Sequence, residues 1–434
     1  MKKVIPGLKF HIMLDIIYAI IFPLAIGVYI LRRKYHWGCR ERIGGGYWKK
    51  ILKTPGSFIW IHAVSLGEAR ITHLVYTKLK QICPACKFLL TTVTTTGYRF
   101  LKQNVNGDDF VAYLPLDFLF LIKRVFEKLD IRLLLILETE LWPNLIISSK
   151  RYNCITGLIN ARISKKSFPR YRRFSFLFSK VINCLDFVVA AGDHNLTRFL
   201  AVGRKDEDCY SIPSLKFDLD APILKDESRL ERLKIYLEEK NLKLLVAGST
   251  HYPEDILMLK LYLQIKETYP DWALLIVPRH PDRMKNLREF LSSHNISASF
   301  FSQSFQGIGD TTIFILDDTG YLATVYSLGD LIFVGGSLIP RGGHNIIEPA
   351  IFKKSIFIGP YYYNFEDIVE EFKKNDAVVI VDKDRPVLPQ VQSLIADEKL
   401  RLQLGEKAYR VVKSNQGNIE KLMDIIKIYF QCCQ

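Results

Sequence analysis

The stretch from Leu331 to Pro349, LIFVGGSLIPRGGHNIIEP, gives the clearest indication of the fold. Four apolar residues typical of a buried strand lead into a loop with four glycines, and the residues after the loop predict a helix. Glycine lets the backbone approach a ligand closely, and the N–H groups of a first helical turn attract phosphate. The stretch matches neither GxGxxG nor a Walker loop, which disfavours NAD enzymes and P-loop NTPases. We therefore expect a strand–loop–helix unit that binds another nucleotide, with a purely structural turn as the alternative.

The same alternation of short apolar runs and longer amphipathic stretches extends along the rest of the chain. Six runs between residues 58 and 191 and six between 244 and 381 predict strands, and the charged stretch 213–241 between them lacks such a run. Strands that alternate with helices are typical of parallel sheets, which bind ligands at the carboxyl ends of their strands. The predicted fold class is α/β: two doubly wound Rossmann-like domains that face a cleft, plus an N-terminal membrane-anchor helix. The predicted boundaries are 1–34 for the anchor, 35–215 for the N-terminal domain, 216–241 for a linker and 242–434 for the C-terminal domain.

Residues 12–31, IMLDIIYAIIFPLAIGVYIL, predict the membrane anchor. As a helix, such a segment spans about 30 Å, the thickness of a bilayer core. Within about twenty residues, three Lys precede it and seven Lys or Arg follow it, which favours a body on the cytoplasmic face of the inner membrane. No small-residue cleavage site follows, so we expect a retained signal-anchor. Asp15 and Pro23 leave an interfacial helix that does not cross the membrane as the alternative.

The charge balance favours an anionic partner. The chain has 60 Lys and Arg against 45 Asp and Glu, a formal net charge of +15. Six cations fall within twelve residues and are interleaved with aromatic side chains, a pattern that fits an anionic amphiphile at a membrane surface. These six are Arg162, Lys165, Lys166, Arg170, Arg172 and Arg173. No nucleic-acid-binding signature accompanies them, so we expect no nucleic-acid partner, and a solvated face is the alternative.

Carboxylates follow two of the predicted strands. Glu68, in SLGEAR, begins a helix, and Glu138 and Glu140 form an acidic pair at the end of another strand. A carboxylate fixed at a strand end and partly desolvated can serve as a general base. For Glu68 the alternative is a structural one, in which the side chain complements the helix dipole. The sequence therefore predicts a base at this edge without excluding a purely structural glutamate.

Other polar residues suggest a nucleotide site in the second half. Arg279, in VPRHP, follows a strand where it can meet an anion, and Glu348, one turn into the helix after the glycine loop, can accept hydrogen bonds from a ribose. Thr319, Gly320 and Tyr321 precede a predicted helix, where nucleotide contact is also expected. His and Cys residues lack metal-ligand spacing, so we expect no metal and no other cofactor.

Together, several motifs resemble the 3-deoxy-D-manno-octulosonic acid (Kdo) transferases of lipopolysaccharide synthesis. They are HAVSLGEAR at 62–70, TTVTTTGY at 91–98, ETELWPN at 138–144, NARIS at 160–164, VPRHPDR at 277–283 and the glycine-rich loop from Phe333. The resemblance implies the GT-B fold and an inverting transfer of one or more Kdo units from CMP-Kdo to a lipid A precursor, lipid IVA. No metal is implied, and the partners would be CMP-Kdo, the lipid acceptor and an anionic membrane surface.

The resemblance also implies roles for individual residues. Glu68 matches the general base, and Glu138 and Lys216 match residues that support the transition state. Similar enzymes usually carry an acidic residue where this chain has Tyr321. The implied CMP site consists of Pro278, Arg279, Thr319, Gly320, Tyr321, Asn345, Ile346, Ile347 and Glu348.

Two other functions stay open at this point. One is a membrane-associated GT-B enzyme that uses a UDP-sugar donor. The other is a membrane-tethered nucleic-acid-binding protein, which only the net charge of +15 suggests.

Overall fold

The computed structural model describes residues 6–7, 10–16, 18–19, 38–220, 230–280, 284–303, 311–318, 320–382 and 384–431. Contacts within the chain divide it into two compact units. Unit 1 contains residues 1–219 and 417–434, and unit 2 contains residues 220–416.

Unit 1 is built on a seven-stranded parallel sheet, counted over the described residues, with the order β3-β2-β1-β4-β5-β6-β7. Along β1 the side chains alternate: Phe58 and Trp60 enter one hydrophobic core, and Ile59 and Ile61 enter the other. Cores on both faces are typical of a doubly wound sheet. The strands are β1 (Ser57–His62), β2 (Lys87–Thr92), β3 (Phe110–Tyr113), β4 (Asp130–Leu137), β5 (Ile155–Ala161), β6 (Phe187–Ala191) and β7 (Cys209–Ile212).

The helices of unit 1 connect these strands. The helix after β1 begins with a capping box, in which Ser65 accepts a bond from the Glu68 N–H and the Glu68 carboxylate accepts one from Ser65. The described helices are α1 (Cys39–Arg42), α2 (Trp48–Ile51), α3 (Leu66–Ile82), α4 (Thr95–Asn104), α5 (Leu119–Lys128), α6 (Pro143–Arg151), α7 (Phe168–Arg173), α8 (Ser175–Ile182) and α9 (Asp193–Ala201). A 3-10 turn, Leu215–Asp218, follows β7.

Unit 2 repeats the plan with a second parallel sheet, in the order β10-β11-β9-β8-β12-β13-β14 over its described part. Its strands are β8 (Lys243–Thr250), β9 (Trp272–Pro278), β10 (Ser299–Phe300), β11 (Ile313–Ile315), β12 (Leu331–Val334), β13 (Ser355–Ile358) and β14 (Val379–Ile380). Its helices are α10 (Glu231–Glu239), α11 (Glu254–Thr268), α12 (Lys285–Ser293), α13 (Leu322–Leu328), α14 (Ile347–Ile351), α15 (Glu366–Lys374), α16 (Val387–Ala396) and α17 (Glu398–Ser414). The α/β class and the two parallel sheets predicted from the sequence are thus confirmed.

The last helix, α18 (Asn418–Tyr429), lies in unit 1, although the sequence places residues 242–434 together in one domain. The Asp218 carboxylate accepts hydrogen bonds from the N–H groups of Gly417 and Ile419, which satisfies donors at the start of the helix. At the other end, the ring of Tyr429 stacks on Phe187 with centroids 4.7 Å apart. The apolar face of α18 therefore completes a core of the first sheet, which the local pattern of the helix cannot reveal.

Only part of the predicted anchor is described, namely residues 12–16 and 18–19; the rest of it lies outside the described residues. Within the described part of the chain, we find no helix with the length and apolarity needed to cross a bilayer. Residues 10–16 are helical and pack within unit 1, against α5 and α6. Asp15 accepts hydrogen bonds from the Leu119 N–H (3.1 Å) and from Asn144 Nδ2 (2.9 Å), and Tyr18 donates to Asp117 (3.1 Å). Asp15, which is unusual in an apolar stretch, is thus used to hold the segment on the first turn of α5.

Candidate active site

Three carboxylates of unit 1, Glu68, Glu138 and Glu140, lie at the carboxyl edge of the first sheet; we refer to them as the carboxylate cluster. Glu68 follows β1 and the other two follow β4, which is the neighbour of β1 in the sheet. Burial and then the charge of Glu138 raise the pKa of Glu68 above its ordinary value. Burial and then the charges of Glu68 and Glu138 raise the pKa of Glu140 to about 7. The structure therefore brings together the acidic residues that the sequence singles out in separate motifs.

Glu68 is fixed by backbone hydrogen bonds. Its side chain is 7% exposed, and its two oxygens accept from the N–H groups of Val64 (2.8 Å) and Ser65 (3.2 Å). Glu68 thus has the structural role at the start of α3 that the sequence offers as an alternative, because these hydrogen bonds form the capping box of the helix. A carboxylate offers about four acceptor positions, so two backbone bonds leave room to accept a proton.

Glu138 has a left-handed backbone, with φ of 53°. Such a conformation costs a non-glycine residue about 1–3 kcal/mol and is typical of functional sites. Its carboxylate lies 3.2 Å from Lys216 Nζ and 3.5 Å from Arg162 NH1. Both cations are largely buried, with side chains 11% and 13% exposed. Lys216 therefore lies beside the carboxylate cluster.

Arg162 is not where the sequence analysis places it. The prediction groups it with five other cations as an acceptor-binding stretch, but its ion pair with Glu138 turns its side chain into the carboxylate cluster. The remaining five, which we call the basic face, are exposed. Phe174 and Phe176 follow them in the chain and are 42% and 61% exposed. The five are Lys165, Lys166, Arg170, Arg172 and Arg173.

Asn160 belongs to the candidate site, although it is not among the site residues predicted from the sequence. Its side-chain oxygen accepts hydrogen bonds from Ser214 Oγ (3.3 Å) and from the Leu215 N–H (3.0 Å). These bonds hold the 3-10 turn that carries Lys216. Asn160 also has a positive φ of 50°, and among the described residues its buried Nδ2 has no hydrogen-bond partner. Its position in NARIS is the one signal that could have identified it.

The predicted nucleotide residues of unit 2 lie at the carboxyl edge of the second sheet. Arg279 follows β9, Gly320 precedes α13, and Glu348 lies in the first turn of α14. Burial and the charge of Glu348 raise the pKa of Tyr326, and the charge of Arg279 opposes this shift, so both charges lie near the same phenol. The remaining residues of the predicted set occupy the same strand and helix ends, except Thr319, which lies outside the described residues. These residues are Pro278, Tyr321, Asn345, Ile346 and Ile347.

Tyr321, which departs from the pattern of similar enzymes, is used in packing. Its ring is 5% exposed and lies 4.8 Å from that of Phe301, centroid to centroid. The side chain thus belongs to the interior of unit 2.

The glycine-rich loop is held from inside the protein. The carboxylate of Glu254 is fully buried and accepts from the N–H groups of Gly336 (2.6 Å), Ser337 (2.9 Å) and Leu338 (2.9 Å). A Cβ on Gly335 would lie 2.5 Å from the Ser249 carbonyl oxygen, so only glycine fits there. These three amides are therefore engaged by Glu254, and a phosphate would have to use the start of α14 and Arg279.

Three histidines that are far apart in the sequence are neighbours in the structure. His251, His280 and His344 follow β8, β9 and β12, respectively. The Nε2 atoms of His251 and His344 are 3.0 Å apart, and the His280 ring meets that of His251 edge-on with centroids 5.7 Å apart. Burial and then the charges of Arg279, His251 and His280 lower the pKa of His344 to about 3. We call these residues the histidine trio; the signal in the sequence is that each follows a strand.

Comparison with known proteins gives a consistent result. The profile of the family described as 3-Deoxy-D-manno-octulosonic-acid transferase (kdotransferase) matches residues 38–219. The 3-deoxy-D-manno-octulosonic acid transferase of Haemophilus influenzae is 30% identical over 92% of each chain. That of Rickettsia typhi is 28% identical over 86% of this chain and 79% of its own.

Solved structures show the same fold. A glycosyltransferase from Rickettsia africae superposes with a TM-score of 0.59 at 16% identity, over 86% of this chain and 99% of its own. HepE from Anabaena, in complex with UDP, gives a TM-score of 0.58 at 12% identity, over 87% of this chain and 100% of its own. At these identities the likeness concerns the fold alone, a GT-B-like fold with two parallel sheets.

Proposed function

This chain belongs to the family of 3-deoxy-D-manno-octulosonic acid (Kdo) transferases, and from that premise we propose that it transfers Kdo from CMP-Kdo to the lipid A precursor lipid IVA. The reaction serves lipopolysaccharide synthesis and adds one or more Kdo units. The observation that carries the proposal is the 30% identity to the Haemophilus influenzae transferase over 92% of both chains. The chain is accordingly a CMP-Kdo-dependent glycosyltransferase.

In the proposed mechanism, Glu68 acts as general base. It takes the proton from a hydroxyl group of the acceptor, and that oxygen attacks the anomeric carbon of Kdo while the bond from this carbon to the phosphate oxygen breaks. CMP leaves with the bonding electrons, and attack from the opposite side inverts the anomeric centre. The raised pKa of Glu68 supports this role, because a base works best when its pKa approaches the working pH.

Fixed charges support the displacement. Lys216, held by Glu138 at 3.2 Å, offers a positive charge near the base. Arg279 and the first turn of α14 stabilise the departing phosphate, and Glu348 accepts hydrogen bonds from the ribose. Pro278, Thr319, Gly320, Tyr321 and the residues Asn345, Ile346 and Ile347 complete the proposed CMP site on the strength of the family resemblance. The proposal needs no metal and no further cofactor.

We also place the protein at the cytoplasmic face of the inner membrane, with the N-terminal segment as a signal-anchor. The basic face supports this location, because its five exposed cations beside exposed Phe174 and Phe176 suit the phosphates and acyl chains of a lipid acceptor.

Thermal unfolding with nucleotides tests the donor class. CMP should raise the unfolding temperature of the protein, because a ligand that binds only the folded state stabilises it, whereas UDP should not. Protection by UDP and none by CMP would instead favour a UDP-sugar transferase.

A further inference from the structure

The histidine trio occupies the edge of unit 2 where a donor would bind. Its members follow β9, β8 and β12, three neighbouring strands of the sheet. The Arg279 N–H donates to the carbonyl oxygen of Thr250, the residue before His251, at 2.9 Å. The trio therefore lies beside the arginine that we assign to the donor phosphate.

The bond between His251 and His344 limits the charge of the pair. At an Nε2–Nε2 distance of 3.0 Å, one ring must donate and the other must accept. The pair can be neutral, or it can carry one positive charge and keep the bond. Two positive charges would place two N–H donors face to face. The two ring planes are nearly parallel, at 12°, with centroids 5.3 Å apart.

The charged groups around the trio make it receptive to an anion. Arg279 adds a positive charge on one side, and His280 lies next to His251. Glu254 is the carboxylate next to His251 in the chain, but its oxygens accept backbone N–H groups, including that of His251 at 3.1 Å. The carboxylate of Glu348, on α14, lies near the phenol of Tyr326. An acidic ligand would therefore meet the positive charge of Arg279 together with imidazole N–H donors.

The donor carries such a group. In an octulosonic acid the carboxyl carbon is bonded to the anomeric carbon, and in the activated donor this same carbon bears the phosphate. Two negative groups thus enter side by side, and we assign Arg279 to the phosphate. We propose that His251, His280 and His344 bind the carboxylate of the donor sugar and thereby select a sugar acid over a neutral sugar. This inference rests on the proposed function and specifies which part of the donor the trio recognises.

One consequence is a proton taken up with the donor. A bound carboxylate favours the cationic form of the histidine pair, since a charge-assisted hydrogen bond is about twice as strong as a neutral one. Between pH 7 and about 8.5 an ordinary imidazole is neutral in the absence of ligand. Binding of CMP-Kdo then requires the uptake of a proton, so the KM for CMP-Kdo should rise as the pH increases over this range. The affinity for CMP, which lacks the carboxylate, should change little over the same range.

The test measures CMP-Kdo kinetics and CMP binding in the full-length protein. His251→Gln and His280→Gln should each raise the KM for CMP-Kdo about tenfold, which corresponds to ~1.4 kcal/mol. The Kd for CMP, measured by calorimetry, should stay within about twofold, and the rise of KM with pH should flatten. His294→Gln, an exposed histidine at the end of α12, is the matched control and should behave as wild type.

Three results would overturn the inference. An equal loss of affinity for CMP and CMP-Kdo would assign the trio to the nucleotide or to the stability of the loop. An unchanged KM in both variants would remove the trio from donor recognition. If the wild-type protein shows no turnover of CMP-Kdo, the proposed function itself fails, and the inference fails with it.

Discussion

Glu68 uses one carboxylate both to cap a helix and, in our mechanism, to accept a proton. We expect Glu68→Gln to lower turnover by about 10²-fold or more, because an amide cannot act as the base, while the Kd for CMP stays nearly unchanged. Glutamine can still serve in the capping box, so the fold should be retained.

Ser65→Ala provides the control for that variant. It removes the hydroxyl that accepts from the Glu68 N–H and should lower the free energy of unfolding by about 1 kcal/mol, yet it leaves the carboxylate in place. Turnover should therefore stay close to that of wild type. Near-normal turnover in Glu68→Gln would remove Glu68 from the mechanism.

The carboxylate cluster predicts a pH dependence. Glu68 must be ionised to act as base, and its pKa is raised, so kcat/KM should fall as the pH drops through this raised pKa. Glu138→Gln removes the negative charge that raises the pKa of Glu68, which makes ionisation of Glu68 easier and should move the acid limb to lower pH. Profiles of kcat/KM against pH for wild type, Glu138→Gln and the exposed control Glu127→Gln check this. An acid limb that does not move in Glu138→Gln would show that the charge of Glu138 does not act on the base in solution.

In the proposed CMP site, single substitutions should weaken CMP binding. Arg279→Ala loses a charge-assisted bond to phosphate and Glu348→Ala a bond to ribose, and each should cost about 1–3 kcal/mol by calorimetry. Lys285→Ala, an exposed side chain of the same unit, is the control and should have no effect. Unchanged affinity in both site variants would place the nucleotide elsewhere.

Some of these residues can be found from sequence and others cannot. Glu68 and Arg279 are predictable because each follows an apolar run, which places it at the carboxyl edge of a sheet. The direction of the Arg162 side chain depends on the turn after β5. The sequence pattern therefore groups Arg162 with five cations that are exposed in the structure, although it pairs with Glu138. His251 and His344 are 93 residues apart, and only the order of the strands brings them together.

At the scale of secondary-structure elements, helix α7 and the residues just before it carry the basic face. This surface allows a separate prediction about acceptor binding. Neutralising Lys165, Lys166 and Arg170 together should raise the apparent KM for the lipid acceptor. The defect relative to wild type should shrink as the salt concentration rises, because salt screens in the wild type the same attraction that the variant has lost. Binding of CMP should be unchanged. Normal acceptor kinetics at low and high salt would show that this face is merely solvated.

Arg162→Ala offers the contrast for that experiment. Because Arg162 pairs with Glu138 in the carboxylate cluster, its loss should lower kcat rather than raise the KM for the acceptor. The two variants together separate the chemistry from acceptor binding, a division that the sequence pattern does not suggest.

At the same scale, strands with apolar runs are predictable, whereas strands without such a run are not. The twelve predicted runs correspond to strands, but β7, with the sequence CYSI, and the two-residue β10 give no such run. The amphipathic pattern of α18 predicts a helix without indicating the sheet it covers. Its place in unit 1 follows from long-range contacts, such as that of Asp218 with the Ile419 N–H.

At the scale of the whole molecule, the proposed substrates explain both the net charge of +15 and the ionisable side chains at the edges of the two sheets. Each unit carries a cluster of ionisable side chains at the carboxyl edge of its sheet. Unit 1 contributes the proposed base and the basic face, and unit 2 contributes the proposed CMP site and the histidine trio. An anionic nucleotide-sugar and an anionic lipid would account for the excess of cations without any nucleic acid.

The mass of the product tests the central claim most directly. The full-length protein in detergent is incubated with lipid IVA and CMP-Kdo, and the lipid is analysed by mass spectrometry. We predict a mass gain of one or more Kdo units with CMP-Kdo, none with UDP-sugars, and a strongly reduced gain with Glu68→Gln. An acceptor whose mass stays unchanged with CMP-Kdo, or that gains a sugar from a UDP donor instead, would contradict the account.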